Sequence, residues 1–219
     1  KVVGWEEHGR PERMLGVSID VTPQREQELL LQRLALYDAL TGLPNRVLLA
    51  RRLQECMDQA RDNGTQLGVA YLDLDGFKPV NDRLGHGAGD RLLVVVAGRL
   101  TRALRPIDCV ARLGGDEFVI LMPGLQSVRD GEDLLERVME SISAAYTIDT
   151  ERVVVTASIG YTMFPQDTAD ADTLLRHADQ AMYAAKQAGR NRFHQFDAAQ
   201  EQATERMRTQ GRHVRDALA

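Results

Sequence analysis

LGVAYLDLD, residues 67–75, is a continuous apolar run that gives way to acid only at Asp73 and Asp75. A short apolar run of this length behind a turn signal, here Asp62-Asn63-Gly64, reads as a buried β-strand. Next, HGAGDRLLVVVAGRL (86–100) puts Leu93, Val96, Ala97, Leu100 and, just beyond it, Leu104 on one helical face. A strand from Asp108 to Leu113, a Gly114-Gly115 turn and a second strand from Phe118 to Met122 then make a hairpin. A helix around 127–145, a long strand VVVTASIGYTMF (153–164), a helix from about 170 to 187 and a short strand near Phe193 follow. Helices alternating with strands that include one hairpin imply an α/β (α+β) sandwich, a mixed sheet backed by helices.

Upstream, Thr22 and Pro23 suit an N-cap and first helical residue, with Glu26 and Glu28 at the positive helix end. Leu30, Leu34 and Tyr37, with Leu29 and Leu31 beside them, form a stripe that fits either a partner helix or packing on its own domain. This helix is expected to stop near Thr41 and Gly42, since Pro44 cannot continue it, and Asn45 can cap the next one. That next helix carries Leu49, Leu53, Cys56 and Ala60 on one face.

The chain has 219 residues and a formal net charge of −5, enough length to bury a core and the wrong sign for broad nucleic-acid binding. A polyanionic small molecule remains compatible, because a few cations and a metal can neutralise it locally. No run of eighteen apolar residues and no signal-peptide pattern occurs, so the piece reads as soluble and without membrane contact. Because it begins at Lys1, it is expected to be an excised fragment whose parent is free to carry an anchor elsewhere. Cys56 and Cys109 have no His or Cys at metal spacing and read as buried free thiols of a reducing, cytoplasmic compartment.

Two acidic places carry the chemistry: Asp73 and Asp75 at the end of one strand, and Asp116 with Glu117 at the Gly-Gly turn. Singly, Asp75 reads equally as the cap of a following helix and Asp116 as a turn residue. If the strands are neighbours, carboxylates about 4 Å apart repel by about 4 kcal/mol at an effective dielectric of about 20, and a divalent cation removes that cost. Oxygen donors without His or Cys select Mg²⁺, or Mn²⁺, over zinc.

Taken together, DLDGFKPVNDRLGHGAGD (73–90), RPIDCVARLGGDEF (105–118), KQAGRNRF (186–193) and DALTGLPNR (38–46) resemble the GGDEF family of diguanylate cyclases, over roughly residues 38–197. The resemblance implies a central, mainly antiparallel sheet of about five strands, related to the nucleotide cyclase and polymerase palm. It implies condensation of two GTP into cyclic di-GMP. By that resemblance Asp73, the Leu74 carbonyl and Asp116 are the metal ligands, with Glu117 at or near the same ions. Asp116 and Glu117 are the catalytic acids, and Asp116 is the proton acceptor for the ribose 3′-OH. Gly114 and Gly115 lack a Cβ and let the turn approach the nucleotide.

Asn81 and Asp90, with His86 lining the same pocket, are implied to read the base. Guanine offers its N1–H and N2 donors to one carboxylate, whereas adenine presents an acceptor at N1. Asp90 also reads simply as a first-turn helix acid. Lys78, Lys186 and Arg190 match triphosphate contacts, and the amides of Gly76 and Phe77 are placed to cradle phosphate oxygens. Outside that context Lys186 and Arg190 would be solvated helix-end cations.

A symmetric product made from two GTP implies two domains face to face about a two-fold axis. Arg105 and Asp108 match an inhibitory product site, with Arg112 contributing from the partner domain; a surface ion pair is the plain alternative. At about 3.3 Å per residue, Asp108 lies about 20 Å from Gly114, outside the chemistry. Residues 1–21 resemble the end of a PAS sensor, 22–40 a linker helix, and 198–219 a connection toward an EAL phosphodiesterase domain. The competing functional reading is a GTP-binding module of little turnover that tunes an adjacent phosphodiesterase; a third is a cyclic di-GMP receptor acting through Arg105 and Asp108.

Overall fold

The apolar run that ends in Asp73 and Asp75 becomes β3 (Gln66–Asp75), the middle strand of a five-stranded sheet. In this computed structural model, which describes residues 2–5, 8, 11–14, 22, 25, 31 and 33–197, β3 pairs antiparallel with both β5 (Glu117–Leu125) and β8 (Thr156–Phe164). Outside them lie β4 (Cys109–Gly114), antiparallel to β5, and β9 (Arg192–Gln195), parallel to β8. The sheet is therefore mixed and mainly antiparallel, as the resemblance implied.

Alternation along β3 explains why its sequence is apolar on both sides. Leu67, Val69 and Tyr71 face a layer shared with α1 (Arg46–Asn63) and α5 (Ala171–Gln187). Ala70, Leu72 and Leu74 face a second layer, with α3 (His86–Ala103) and α4 (Val128–Ser143). Asn45 caps α1 by accepting from the Val47 and Leu48 amides, as read from the sequence. Ser127 and Asp130 form a reciprocal capping box on α4, and Asp170 caps α5.

Four local expectations are corrected. The run 153–164 is not one strand: β6 (Tyr146–Ile148) and β7 (Glu151–Val153) make their own hairpin, and β8 begins only at Thr156. Consecutive valines favour extended backbone but do not say which partner they pair with, and here the run serves two. On α1 it is Met57 that joins Leu49, Leu53 and Ala60 in the core, while Cys56 is half-buried at the margin of the stripe. Leu104 stands at the C-cap of α3 in extended conformation, only partly buried. Finally, Asp75 does not cap the short helix α2 (Phe77–Leu84); Gly76 holds that place with φ 81° and no side-chain cap bond.

The chain divides into two units, residues 1–35 and 36–219. In the first, β1 (Val2–Trp5) and β2 (Pro11–Met14) pair antiparallel, and Leu31 and Leu34 are exposed on helical turns. Most of residues 15–32, and the whole expected C-terminal linker 198–219, lie outside the described residues. No described helix is long and apolar enough to cross a membrane.

One contact fixes how α5 lies on the sheet. A Cβ added to Gly160, at the centre of β8, would stand 1.9 Å from the Met182 amide nitrogen and 2.1 Å from the Ala178 carbonyl oxygen. Those are backbone atoms of a helix, so the clash cannot be relieved by turning a side chain. Only glycine permits this approach. Gly160→Ala is expected to cost about 3 kcal/mol by overpacking, read as a fall of about 6–12 °C in Tm by calorimetry; an unchanged Tm would show that α5 is free to shift.

Candidate active site

The acids read from the sequence do converge. Asp73 on β3 stands opposite Glu117 on β5, and the Leu74 amide donates to the Asp116 carbonyl at 3.3 Å, so the hairpin turn folds against the end of β3. Asp73 and Asp75 share a strand face with Tyr71, the face covered by α5. From that helix Lys186 reaches Asp73, Nζ to Oδ1 at 2.8 Å. Burial pushes the Asp116 carboxyl up, the charge of Asp73 adds to this, and Lys186 partly offsets it. Tyr71 donates its hydroxyl to Glu117 Oε2 at 3.0 Å, and its phenol is held well above the ordinary range by burial and by Glu117. Asp179, one face of α5 with Lys186, has its carboxyl raised by partial desolvation and then by Glu117.

This is an acid-rich corner held by one close lysine. Among the described residues no three His, Cys, Asp or Glu side chains are arranged to hold an ion unaided. The oxygen donors present fit an ion that takes one or two carboxylates and completes its sphere with substrate phosphates and water, the habit of Mg²⁺.

Asp75 has a different duty. Its carboxylate accepts from Thr156 Oγ1 and Ser158 Oγ, each at 2.8 Å, and from the Asn191 amide at 3.1 Å. It thereby ties β3 to β8 and to the loop after α5, where Arg190 and Asn191 adopt left-handed backbone, φ 61° and 47°. The Arg190 guanidinium lies 3.9 Å away. Lys186 and Arg190, expected from the sequence to contact the triphosphate, are both drawn here to the carboxylates at the end of β3.

At the hairpin, Gly114 and Gly115 have φ 152° and 49°, and an added Cβ would meet nothing within 4 Å. Their requirement is conformational. Arg112 holds this turn: Nε and Nη2 donate to the Gly115 carbonyl at 3.0 and 2.8 Å, while Nη1 donates to Asp38 Oδ1 at 2.9 Å. Asp38 also accepts from the Thr41 amide and hydroxyl. Arg112 is thus engaged inside its own chain, at the far end of β4 from Arg105 and Asp108.

Asn81, on α2, lies against Gly89 of α3; its Oδ1 is buried without a hydrogen-bond partner, and a Cβ on Gly89 would stand 1.8 Å from that oxygen. His86 opens the same helix and Asp90 follows one turn later, beyond the first turn expected from the sequence; both are exposed, and Phe77 is buried beneath. Gly76 and Lys78 flank Phe77 at the start of α2. Asn81 and Asp90 therefore occupy adjacent positions where α2 meets α3.

Arg105 and Asp108 form a closed pair. Nη2 and Nε contact the Asp108 carboxylate at 2.7 and 3.1 Å, the Arg105 amide donates to it at 2.7 Å, and the remaining Nη2 bond goes to the Pro123 carbonyl. The Asp108 side chain is fully buried, while Arg105 stays one-third exposed.

Sequence reading missed Tyr71, Asp179, Asp38 and the Ser158–Thr156 pair. Asp179 and Lys186 are seven residues apart, one helical face, and Tyr71 precedes Asp73 by two, one strand face. Those spacings were the available signals.

Comparison with known proteins agrees with this fold. Residues 35–192 match the family model "Diguanylate cyclase, GGDEF domain". The bifunctional diguanylate cyclase/cyclic di-GMP phosphodiesterase MucR of Pseudomonas aeruginosa is 44% identical over 167 residues, 76% of this chain and 24% of MucR. The chain thus spans about a quarter of the length of this relative. A solved GGDEF domain of TpbB from P. aeruginosa superposes with a TM-score of 0.73 at 37% identity, covering 77% of this chain and 99% of that one. The coiled coil and GGDEF domain of DgcB from Caulobacter crescentus, solved with c-di-GMP, gives 0.73 at 29% identity, covering 80% and 93%.

Burial alone would raise the Asp38 carboxyl, but bonds from Thr41 and Arg112 outweigh it and hold it below the usual value. A depressed folded pKa stabilises above the unfolded value, about 3.9, and that stabilisation is lost as pH falls through the folded one. Asp38→Asn is expected to cost about 2 kcal/mol at pH 7, with the gap to the unsubstituted protein closing below about pH 4 in urea titrations. A gap independent of pH would count against the ionised Asp38–Arg112 bond.

Proposed function

We propose, for a chain that belongs to the diguanylate cyclase GGDEF-domain family, that it joins two molecules of GTP into cyclic di-GMP and releases two pyrophosphates. The observation that carries this reading is the meeting of Asp73, Asp116 and Glu117 with Lys186 at the end of β3, beside a loop that brings Arg190 to Asp75.

Each of two identical steps forms a bond from a ribose 3′-oxygen to the α-phosphorus of the other GTP and breaks the bond to pyrophosphate. Asp116, whose carboxyl binds its proton more readily than an ordinary aspartate, suits the role of acceptor for the 3′-OH proton. A divalent ion, Mg²⁺ by the hardness of the donors or else Mn²⁺, would be held by Asp73, the Leu74 carbonyl and Asp116 with Glu117 alongside, and supplies charge neutralisation at the phosphates. Lys78, Lys186 and Arg190 take triphosphate charge, with the amides of Gly76 and Phe77 as further donors and the Gly114-Gly115 turn beside the nucleotide. Asn81, with its unbonded buried oxygen, and Asp90 read the guanine edge, and His86 borders them.

Because each GTP is both attacker and target, the competent form is a two-fold dimer in which each domain holds one GTP. Product binding at Arg105 and Asp108 restrains turnover; the partner role expected of Arg112 would require it to leave Asp38 and Gly115. The bifunctional name of MucR supports a parent protein with a phosphodiesterase domain, and a PAS-like sensor and linker helix ahead of this unit complete the proposed context.

Incubation with GTP and Mg²⁺ is expected to yield cyclic di-GMP by mass spectrometry, with ATP giving none and Asp116→Asn lowering turnover by about 10²–10⁴-fold. GTP binding without product in a dimeric preparation would favour the module that tunes a neighbouring phosphodiesterase. Removing Arg105 outright would strand a buried carboxylate, so Arg105→Lys is the cleaner variant. It is expected to raise the product inhibition constant about tenfold, the worth of one charge-assisted hydrogen bond, with the uninhibited rate unchanged; an equal constant would remove the site.

A further inference from the structure

Glu117 stands among like charges. Asp73 faces it across the β3–β5 pair, Asp116 precedes it in the turn, and Asp179 acts on it from α5. Lys186 is committed to Asp73 at 2.8 Å, and Arg46, whose charge is felt at Tyr71, makes no ion pair with Glu117 among the described residues. Repulsion of this kind drives a half-buried glutamate outward, toward water and away from its neighbours.

Among the described residues, the hydrogen bond that opposes this movement comes from Tyr71, hydroxyl to Oε2 at 3.0 Å. Tyr71 is only 8% exposed and its ring is packed in the layer of Leu49, Ala178 and Met182, so the hydroxyl is fixed in space by the core. Packing has no use for that hydroxyl. Its strand-face neighbours Leu67 and Val69 are apolar, and a phenylalanine ring would fill the same volume. A hydroxyl at the rim of an apolar layer costs stability unless it is bonded, and Glu117 is the group that bonds it.

We infer that Tyr71 is a positioning residue for the phosphoryl-transfer site: its hydroxyl clamps Oε2 of Glu117 to the buried side and leaves Oε1 as the oxygen turned toward the nucleotide and its counter-ion. This rests on the cyclase reading above. A free Glu117 would sample both orientations and present neither oxygen steadily, which lowers turnover without weakening recognition of the base or of the triphosphate.

Tyr71→Phe keeps the ring and removes the clamp. It is expected to leave Tm and the KM for GTP unchanged, to lower kcat about tenfold, the equivalent of one hydrogen bond to a charged group, and to weaken Mn²⁺ binding severalfold. The Mn²⁺ isotherm is read by electron paramagnetic resonance on protein with a non-hydrolysable GTP analogue. In a Glu117→Gln background the same change is expected to have no further effect, as a double-mutant cycle would show. Unchanged kcat and Mn²⁺ affinity would overturn the inference, as would a tenfold loss that persists beside Glu117→Gln. If the unsubstituted chain made no cyclic di-GMP, the cyclase reading would fall, and the Mn²⁺ isotherms alone would decide the role of Tyr71.

Discussion

Backbone against backbone, with no side chain between, is how α5 meets β8 at Gly160. The charges that α5 brings to the acid corner are measured from that contact. It sets the depth at which Lys186 reaches Asp73 and at which Asp179 acts on Glu117, and the loop after α5 starts from the same helix before Asn191 is pinned to Asp75. A helix riding a methyl group higher would carry its lysine out of a 2.8 Å bond whose partner is fixed to the sheet. Close approach at one glycine therefore turns a general α/β packing into a defined arrangement of charges.

Much of this was legible because it is encoded locally. β3, the glycine hairpin, the Asn45 cap and the helical stripes follow from periodicity and turn chemistry within a few residues of each other. Residues 73, 116, 186 and 190 were also named from their motifs. What was not legible depends on pairing over distance. Tyr71 bonds a residue 46 positions away, and Asp38 one 74 positions away, and no period in the sequence announces either. Asp75 looked like a helix cap because aspartate before a glycine so often is, but the hydroxyls of Thr156 and Ser158 compete for its carboxylate and win. The run 153–164, whose first valine ends β7 and whose remainder from Thr156 forms β8, failed for the same reason: propensity states a conformation and leaves the partner open.

The acid corner also shows a local rule being broken where chemistry is placed. Core packing at the foot of β3 is dense and fully apolar, with Leu72 and Phe118 wholly buried, yet the next positions gather carboxylates, and burial together with their charges raises the proton affinity of Asp116 and Asp179. Such crowding lowers the stability of the folded chain and is tolerated because the sheet beneath it is rigid. Conflicts of this sort are where a fold reveals what it is built to hold.

Arg112 shares one planar cation between the segment that leads into the domain and the turn that carries Asp116. A guanidinium is stiff, so its two ends cannot adjust independently. Any tilt of the Asp38–Thr41 turn must either tug the glycine turn along with it or break the link, and the two turns consequently move as parts of one lever.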